Sequence, residues 1–381
     1  MVIPSKTDVV VIGGGPAGLA AALAARQNGF EVCVLDRAEP PIDKACGEGL
    51  MPDGVAALRE LGVAFDIGQG RPFRGIRFID DHRLAQACFP AEAGIGVRRT
   101  VLHQILVDRA QAMGVVTGWR ATVTGLDPDG VALADSSVRC RWIIGADGAL
   151  SQVRQWAGLA PLDNGRRRVG LRQHFRVKPW SDFVEVHWAK GCQAYVTPVG
   201  PDEICIALLD TAQKLGFADL ATRFPGLSRH LEGAEPIGVV RGGLSASRRL
   251  RHVTRGRIAL VGDASSSIDA ITGDGLTLAF RQATALGAAL AKDDLASYDV
   301  AHRRICRMPF LMAQLLLLMD QREGLRKVAL QALAARPDSF SRLLATHVGA
   351  RHPAAAALDV LALSLRAAAS AARPRNAAIA R

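Results

Sequence analysis

Aromatic side chains make up only 5% of the 381 residues, and two are Tyr. The seven cysteines form no Cys-x-x-Cys pair, and their number is odd. This excludes a disulfide framework and offers no thiolate set for zinc, so a reducing compartment and no metal are expected. No apolar run reaches the roughly 18 residues of a membrane span. The longest candidate, Pro309 to Met319, is broken by Gln314. No basic-then-apolar leader precedes the first strand pattern, so a cytoplasmic location is expected rather than export. No internal repeat is visible, which argues against a solenoid. The net charge is +11, yet the arginines (Arg71, Arg98, Arg99, Arg166 to Arg168, Arg248, Arg249, Arg303, Arg304) are scattered. Without a long basic block or interleaved aromatics, nucleic acid is not the expected partner.

What is present is core material. Hydrophobic residues are 49% and charged residues 22%, a globular balance with enough length for two to three domains at roughly 150 residues each. Residues 8–12 are continuously apolar, as in a strand buried on both faces. An Ala/Leu-rich helix over 16–28 and a second strand over 30–35 complete a β-α-β unit. Helices are expected at 53–62 and 99–113, and strands within 115–147. From 168 to 245 the pattern alternates, as in antiparallel strands with one wet face. A buried strand returns at 257–263 and a helix at 275–291. The chain is helical from 297, with an Ala/Arg-rich tail after 350 expected to fray.

The expected fold is α/β. A Rossmann-like dinucleotide-binding domain (1–75, 97–165 and 250–295) is interleaved with an antiparallel-sheet substrate domain (76–96 and 166–249). A C-terminal helical region covers 296–381.

Gly13-Gly14-Gly15-Pro16-Ala17-Gly18 follows the first strand and opens the first helix. In this G-x-G-x-x-G, Gly13 permits the tight turn, Gly15 lets backbone approach a pyrophosphate, and Gly18 lets helix and strand pack closely. The helix N-terminus offers free N–H groups and partial positive charge to phosphates. Asp36, 23 residues past Gly13 and followed by Arg37, ends the second strand where a carboxylate reaches ribose hydroxyls. An acidic residue there argues against a 2′-phosphate.

Two later segments narrow the dinucleotide. Gly145-Ala146-Asp147-Gly148, with Ser151 and Arg154, resembles the GADG-x-x-S-x-V-R segment of flavoprotein hydroxylases. Gly262-Asp263-Ala264, followed by Gly273-Asp274-Gly275-Leu276, resembles the GDA…GxG(L) segment of the same superfamily. Arg99, in Arg-x-x-Leu102, matches an arginine that the superfamily aims at the cofactor. The resemblance, over residues 7–300, is to the p-hydroxybenzoate hydroxylase and geranylgeranyl reductase superfamily, which also includes flavin-dependent halogenases. It implies FAD, a p-hydroxybenzoate-hydroxylase-like fold, and NAD(P)H or another reductant as electron donor. Asp263 is then placed on a ribityl hydroxyl, and the 273–276 turn on the flavin's N1–C2=O edge.

Three features bear on the chemistry. Lys44-Ala45-Cys46-Gly47-Glu48-Gly49-Leu50 resembles the cysteine-glycine segment of geranylgeranyl reductases. There Lys44 and Gly47 would lie on the cofactor, and Cys46 or Glu48 would exchange a proton if desolvation tuned it. A small buried thiol and a structural carboxyl are the alternatives. Second, Ser266 and Ala270 stand where hydroxylases carry His and Pro, and Thr277 replaces their Asn, while Asp274 is similar to the reductases' acidic residue. Third, Tyr195-Val196-Thr197-Pro198 resembles a degraded form of the reductases' aromatic-Pro strand. The halogenases' Trp-x-Trp-x-Ile-Pro is absent. His174, His187 and Tyr195 are substrate-side candidates, beside the simpler reading of sheet residues. Met308, Met312, Met319 and Phe310 read as core packing, or alternatively as a pocket wall or a patch for peripheral membrane contact.

The resemblance implies an FAD-dependent monooxygenase of secondary metabolism. It would oxygenate an apolar or phenolic, polyketide-like small molecule through a flavin C4a-hydroperoxide. The alternative is a geranylgeranyl-reductase-like enzyme that reduces double bonds of a prenyl or lipid-like substrate.

Overall fold

A computed structural model describes residues 2–352 apart from 67, 81–82, 165–166 and 212–215. The Ala/Arg-rich tail expected beyond 352, and Arg166, lie outside the described residues.

The chain opens with strand β1 (Lys6–Ile12), helix α1 (Pro16–Gln27) and strand β2 (Val32–Asp36). Helix α2 (Pro52–Glu60), strands β3 (Gly75–Asp80) and β4 (Arg83–Cys88), helix α3 (Arg99–Ala112) and strands β5 (Val116–Trp119) and β6 (Ser137–Gly145) follow. Next come strands β7 (Arg168–Arg176), β8 (Val184–Ala189), β9 (Cys192–Gly200), β10 (Glu203–Asp210), β11 (Glu235–Ser245) and β12 (Ile258–Leu260). Helices α4 (Gly275–Ala291), α5 (Leu295–Gln321), α6 (Glu323–Ala334) and α7 (Pro337–His347) complete the set that positions the site.

The first sheet runs β12-β6-β1-β2-β5, with every neighbour in this row parallel. The Val9–Val11 and Val32–Leu35 stretches are almost completely buried, because helices cover both faces of a parallel sheet. Strands Val123–Asp127 and Gly130–Leu133 extend this sheet as an antiparallel hairpin.

The second sheet has the order β11-β7-β10-β9-β8-β3-β4. It differs from the expectation in two ways. It is not wholly antiparallel, since β8 runs parallel to β3. The chain enters β3 from the first domain, about a hundred residues before β8, so no hairpin imposes opposite directions. Nor is one face wet along its central strands, although the edge strand β11 is largely exposed. Ala194, Val196, Ile206 and Leu208 on the far face pack against Leu220 and Leu227 of the short helices Leu220–Arg223 and Pro225–His230 and against Phe224 between them. Burying each such side chain contributes about 1.5–3 kcal/mol, which fixes the register.

The register also assigns faces. His174 pairs with Cys205, and Cys205 with Thr197. Arg172 pairs with Ala207, Ala207 with Tyr195, and Tyr195 with Val186. These residues share the near face, because cross-strand partners point the same way. Toward one end that face is apolar. Val186, Trp188 and Leu209 pack with Ile271 and with Ala313 of α5. Helices α6 and α7 close the edge, where Leu330, Leu333, Phe340 and Leu344 meet Ala85, Ala87 and Phe89.

Candidate functional site

The loops singled out in the sequence all leave the carboxyl ends of adjacent parallel strands, where α/β sheets hold ligands. The Gly13–Gly18 loop follows β1, Asp36 ends β2, Ala146-Asp147 follows β6 and Asp263 follows β12. Ala146 N–H donates to Ile12 O at 2.8 Å, and Val261 N–H to Gly145 O at 2.9 Å, which ties three of these loops side by side.

Within the glycine loop the three positions have different surroundings. Gly13 has φ +110°, and a Cβ there would lie 2.4 Å from Ala146 O. A Cβ on Gly18 would lie 1.8 Å from Gly13 O. Gly15 faces open space, with nothing within 4 Å of an added Cβ. No side chain caps α1 and no acidic residue occupies its first turn, so its first N–H groups are left for an anion. Gly47 and Gly275 face open space as well.

The loop is braced from behind. Asp36 Oδ2 accepts from Gly14 N–H at 2.6 Å, and its Oδ1 from Ala38 N–H at 2.8 Å. His103, fully buried on α3, has Nε2 2.8 Å from Gly14 O, and its Nδ1 accepts from Ile42 N–H at 3.4 Å. The acceptor role of Nδ1 places the ring proton on Nε2, which donates to Gly14 O. Burial pulls the His103 pKa down, which favours the neutral ring. The only sequence signal of His103 is its position four residues past Arg99.

Asp147 Oδ2 accepts from Gln152 N–H at 2.7 Å and Val153 N–H at 3.1 Å. Its Oδ1 is buried without a hydrogen-bond partner among the described residues. Arg154 donates to Ala264 O at 3.1 Å and Ala149 O at 3.0 Å, clamping the segment after β6 to the one after β12. Lys44 Nζ lies 3.1 Å from where a Cβ on Gly148 would stand. Arg37, Asp263, Gly273 and Gly275 are exposed, Leu276 is half-buried and Asp274 is buried. Asp274 Oδ1 lies 3.2 Å from His347 Nε2, an approach from α7 with no sequence signal.

The Cys46–Gly49 segment carries a buried polar cluster. Glu48 is 2% exposed and has φ +59°, a left-handed backbone unusual for glutamate. Its Oε1 accepts from Arg99 N–H at 2.9 Å, and its Oε2 lies 2.7 Å from His174 Nε2. His174 Nδ1 faces two guanidinium groups, Arg98 at 3.2 Å and Arg172 at 3.1 Å. Arg172 in turn pairs with Asp43, which also takes Arg241 at 3.1 Å. Cys46 Sγ accepts from Glu48 N–H at 3.4 Å. Burial pushes the Cys46 thiol up; the adjacent Arg99 guanidinium opposes this, but the net direction is up. Thr197 Oγ donates to Gly47 O at 2.8 Å, seating the segment on the near face of the second sheet.

Donor atoms of Glu48, His174 and Cys205 lie within 4.8 Å of one another, close enough to suggest a cation. The arginines argue otherwise. Two guanidinium donors on Nδ1 leave the ring proton on Nε2, facing Glu48. A cation on Nε2 would displace that proton and sit beside Arg172, 3.9 Å from Glu48. The cluster suits a proton better than a metal ion.

Of the substrate-side candidates, His174 meets Glu48 directly. Tyr195 shares the near face, and its hydroxyl donates to Ile271 O at 2.8 Å, just before the Gly273 turn. His187 does not join them. It pairs with Ala194 on the far face, where it meets Glu185 at 3.1 Å. Glu185 also accepts from Arg77 at 2.9 Å and Trp180 at 3.1 Å. The side-chain period of two along a strand puts residue 187 opposite the Val186 face.

The residues present fit a flavin dinucleotide. Gly15, Gly47 and Gly275 open onto free space, and buried polar atoms of Arg99 (Nε), Asp147 (Oδ1), Asp274 (Oδ2) and Thr277 (Oγ1) lack partners among the described residues. The fold and this loop set define a flavoprotein oxidoreductase with a p-hydroxybenzoate-hydroxylase-like architecture. The chain belongs to the FAD-binding-domain family, which matches residues 6–196. It is 28% identical over 303 residues to a menaquinone reductase of Mycobacterium tuberculosis, covering 72% of this chain and 74% of the relative. It is 27% identical over 379 residues to the ubiquinone hydroxylase UbiL of Rhodospirillum rubrum, covering 90% and 82%. Among solved structures, a flavoprotein/dehydrogenase from Cytophaga hutchinsonii superposes with a TM-score of 0.79 at 19% identity, covering 90% of this chain and 92% of that one. That likeness concerns the fold.

Proposed function

We propose that this FAD-dependent oxidoreductase reduces double bonds of an apolar, isoprenoid-like substrate, and that Cys46, Glu48 and His174 supply the proton. The observation that carries the reading is the buried Glu48–His174 contact of 2.7 Å, on a residue whose N–H donates to Cys46 Sγ at 3.4 Å. FAD, when bound and reduced by NAD(P)H or another donor, supplies the hydride for one carbon of the double bond. The chain's part is the proton for the other carbon. Burial keeps the Cys46 thiol protonated near neutral pH. The Arg99 guanidinium and the Glu48 N–H face the sulfur and stabilise the thiolate left after transfer. A proton taken up from solvent then reaches the sulfur by way of the Glu48 carboxylate, which His174 Nε2–H holds in place.

The loops after β1, β6 and β12 would hold the dinucleotide, with Asp36 toward a ribose and Lys44 and Arg99 toward its anionic parts. The menaquinone reductase likeness supports reduction. A second reading, monooxygenation of an apolar or phenolic molecule, is favoured by the match to the ubiquinone hydroxylase over 90% of the chain. Oxygen transfer needs a dry pocket but no side-chain acid, and so leaves the buried cluster without a task.

The deciding experiment incubates reduced, FAD-loaded protein with a polyprenyl quinone, with and without oxygen, and analyses the product by mass spectrometry. Hydrogen gain without oxygen supports the reductase. Oxygen gain only under aerobic conditions selects the monooxygenase.

A further inference from the structure

We infer that the outer face of α5 docks on an anionic lipid surface. Val300, Arg304, Arg307, Leu311, Leu315 and Leu318 fall on one stripe at helical spacing. Val300 is 44% exposed, Leu311 48%, Leu315 37% and Leu318 38%. Arg303, Arg304 and Arg307 are also exposed, and none forms an ion pair among the described residues. Between residues 300 and 322 the sole carboxylate is Asp320, which is buried. A helix this exposed would be expected to carry polar residues along its outer stripe; here leucines and unpaired arginines take their place.

Charge selects the occupant. A second copy would bring its own arginines against these, at a cost from like-charge repulsion. Residues 353–381 carry Arg366, Arg373, Arg375 and Arg381 against one Asp359, so that segment is repelled as well. Anionic headgroups pair with the arginines while the leucines enter the acyl boundary, the arrangement of an interfacial helix. No helix among the described residues is long and apolar enough to cross a membrane, so contact in the plane is the geometry available.

The inner face of the same helix gives the contact a purpose. Ala313, Leu316 and Leu317 pack with Val186, Trp188 and Ile271 on the near side of the second sheet. His302 lies 2.9 Å from Ser265 Oγ, beside the segment after β12. One helix therefore presents its outer stripe to solvent and its inner stripe to the site. This inference does not depend on which reaction the site performs.

The test is flotation of the full-length, FAD-loaded protein with vesicles of phosphatidylcholine alone or mixed with phosphatidylglycerol. Binding to the mixed vesicles that is released by salt, with little binding to phosphatidylcholine, is expected. The double variant Arg304→Gln/Arg307→Gln should bind roughly twenty-five-fold more weakly, about fivefold per arginine. Leu311→Ser/Leu315→Ser should also weaken binding at low salt. Absence of flotation at low salt would overturn the inference, as would unchanged binding by both variants. A dimer in light scattering that the leucine variant dissociates would assign the stripe to a second copy and overturn it too.

Discussion

His347, in the last turn of α7, lies 3.2 Å from Asp274 in the turn that opens α4. Asp274 is buried and the His347 side chain is 9% exposed, and the contact joins the C-terminal helices to the flavin-domain loop. Burial pulls the His347 pKa down, but the charge and hydrogen bond of Asp274, with Asp53 nearby, outweigh it and the net direction is up. A histidine raised in the folded state contributes stability that is fully present below its ordinary value of 6.5. That contribution is lost as pH rises through the folded value. Urea unfolding of the protein should therefore show a stability decline on the alkaline side of 6.5, and His347→Gln should abolish that decline. An identical decline in the variant would mean that the pair is not ionised in the fold.

The glycine loop separates folding from binding. Gly15 has an extended backbone and open space beyond its missing side chain. Gly15→Leu should fold with stability within about 1 kcal/mol of the parent yet lose FAD, because the side chain fills the phosphate approach. Gly18→Ala instead forces a methyl group to within 1.8 Å of Gly13 O, and should destabilise the apoprotein by about 3 kcal/mol. Flavin absorbance and thermal melts on the same samples check both. A yellow Gly15→Leu protein would remove the loop from the binding site.

What the sequence made legible, and what it did not, follows from distance along the chain. The loops after β1, β6 and β12 carry their signals within a few residues, since each must turn tightly next to a strand end. Helix α4 spans Gly275–Ala291, as its apolar period indicates. The braces did not show. His103 reaches Gly14 across 89 residues, His302 reaches Ser265 across 37, and His347 reaches Asp274 from the far end of the described chain. A lone histidine on a helix announces no partner, because its partner is set by tertiary packing. His187 illustrates the complementary failure. Alternation marks the strand, but only the cover provided by Leu220, Phe224 and Leu227 settles which face meets the site. Glu48 was legible as a candidate through its motif; its pairing with His174, 126 residues away, was not.

His302 gives a pH effect in a different window. Burial lowers its pKa from 6.5 to about 4. The unfolded chain takes up a proton below 6.5 while the folded ring does not until about 4. Stability therefore falls as pH drops through that interval, by about 3 kcal/mol in total. His302→Asn should flatten the slope of unfolding free energy between pH 6.5 and 4, while losing some stability throughout from the broken Ser265 contact. Because His347 acts above 6.5 and His302 below it, the two variants should alter opposite limbs of one stability curve. An unaltered acid limb in His302→Asn would show that other groups carry the acid sensitivity.

The Glu48–His174 pair yields the sharpest test of the proposed chemistry. Glu48→Gln keeps the shape and the acceptor for Arg99 N–H, but removes the negative charge amid Arg98, Arg99 and Arg172. Breaking a buried charge set in this way should cost about 3 kcal/mol of stability. A purely structural Glu48 would show that loss and nothing more. A proton-delivering cluster predicts, in addition, a fall in turnover of about a hundredfold or more, with FAD retained and flavin reduction by the donor unaffected. His174→Gln should give a similar loss, and the double variant little beyond either single one, because both act on one proton path. Steady-state turnover, flavin reduction rates and denaturant melts of the three proteins separate the cases. Full turnover in a stable, FAD-loaded Glu48→Gln protein would leave the cluster as a brace for the Cys46–Gly49 segment, and the balance would then move to the monooxygenase, which needs no side-chain acid.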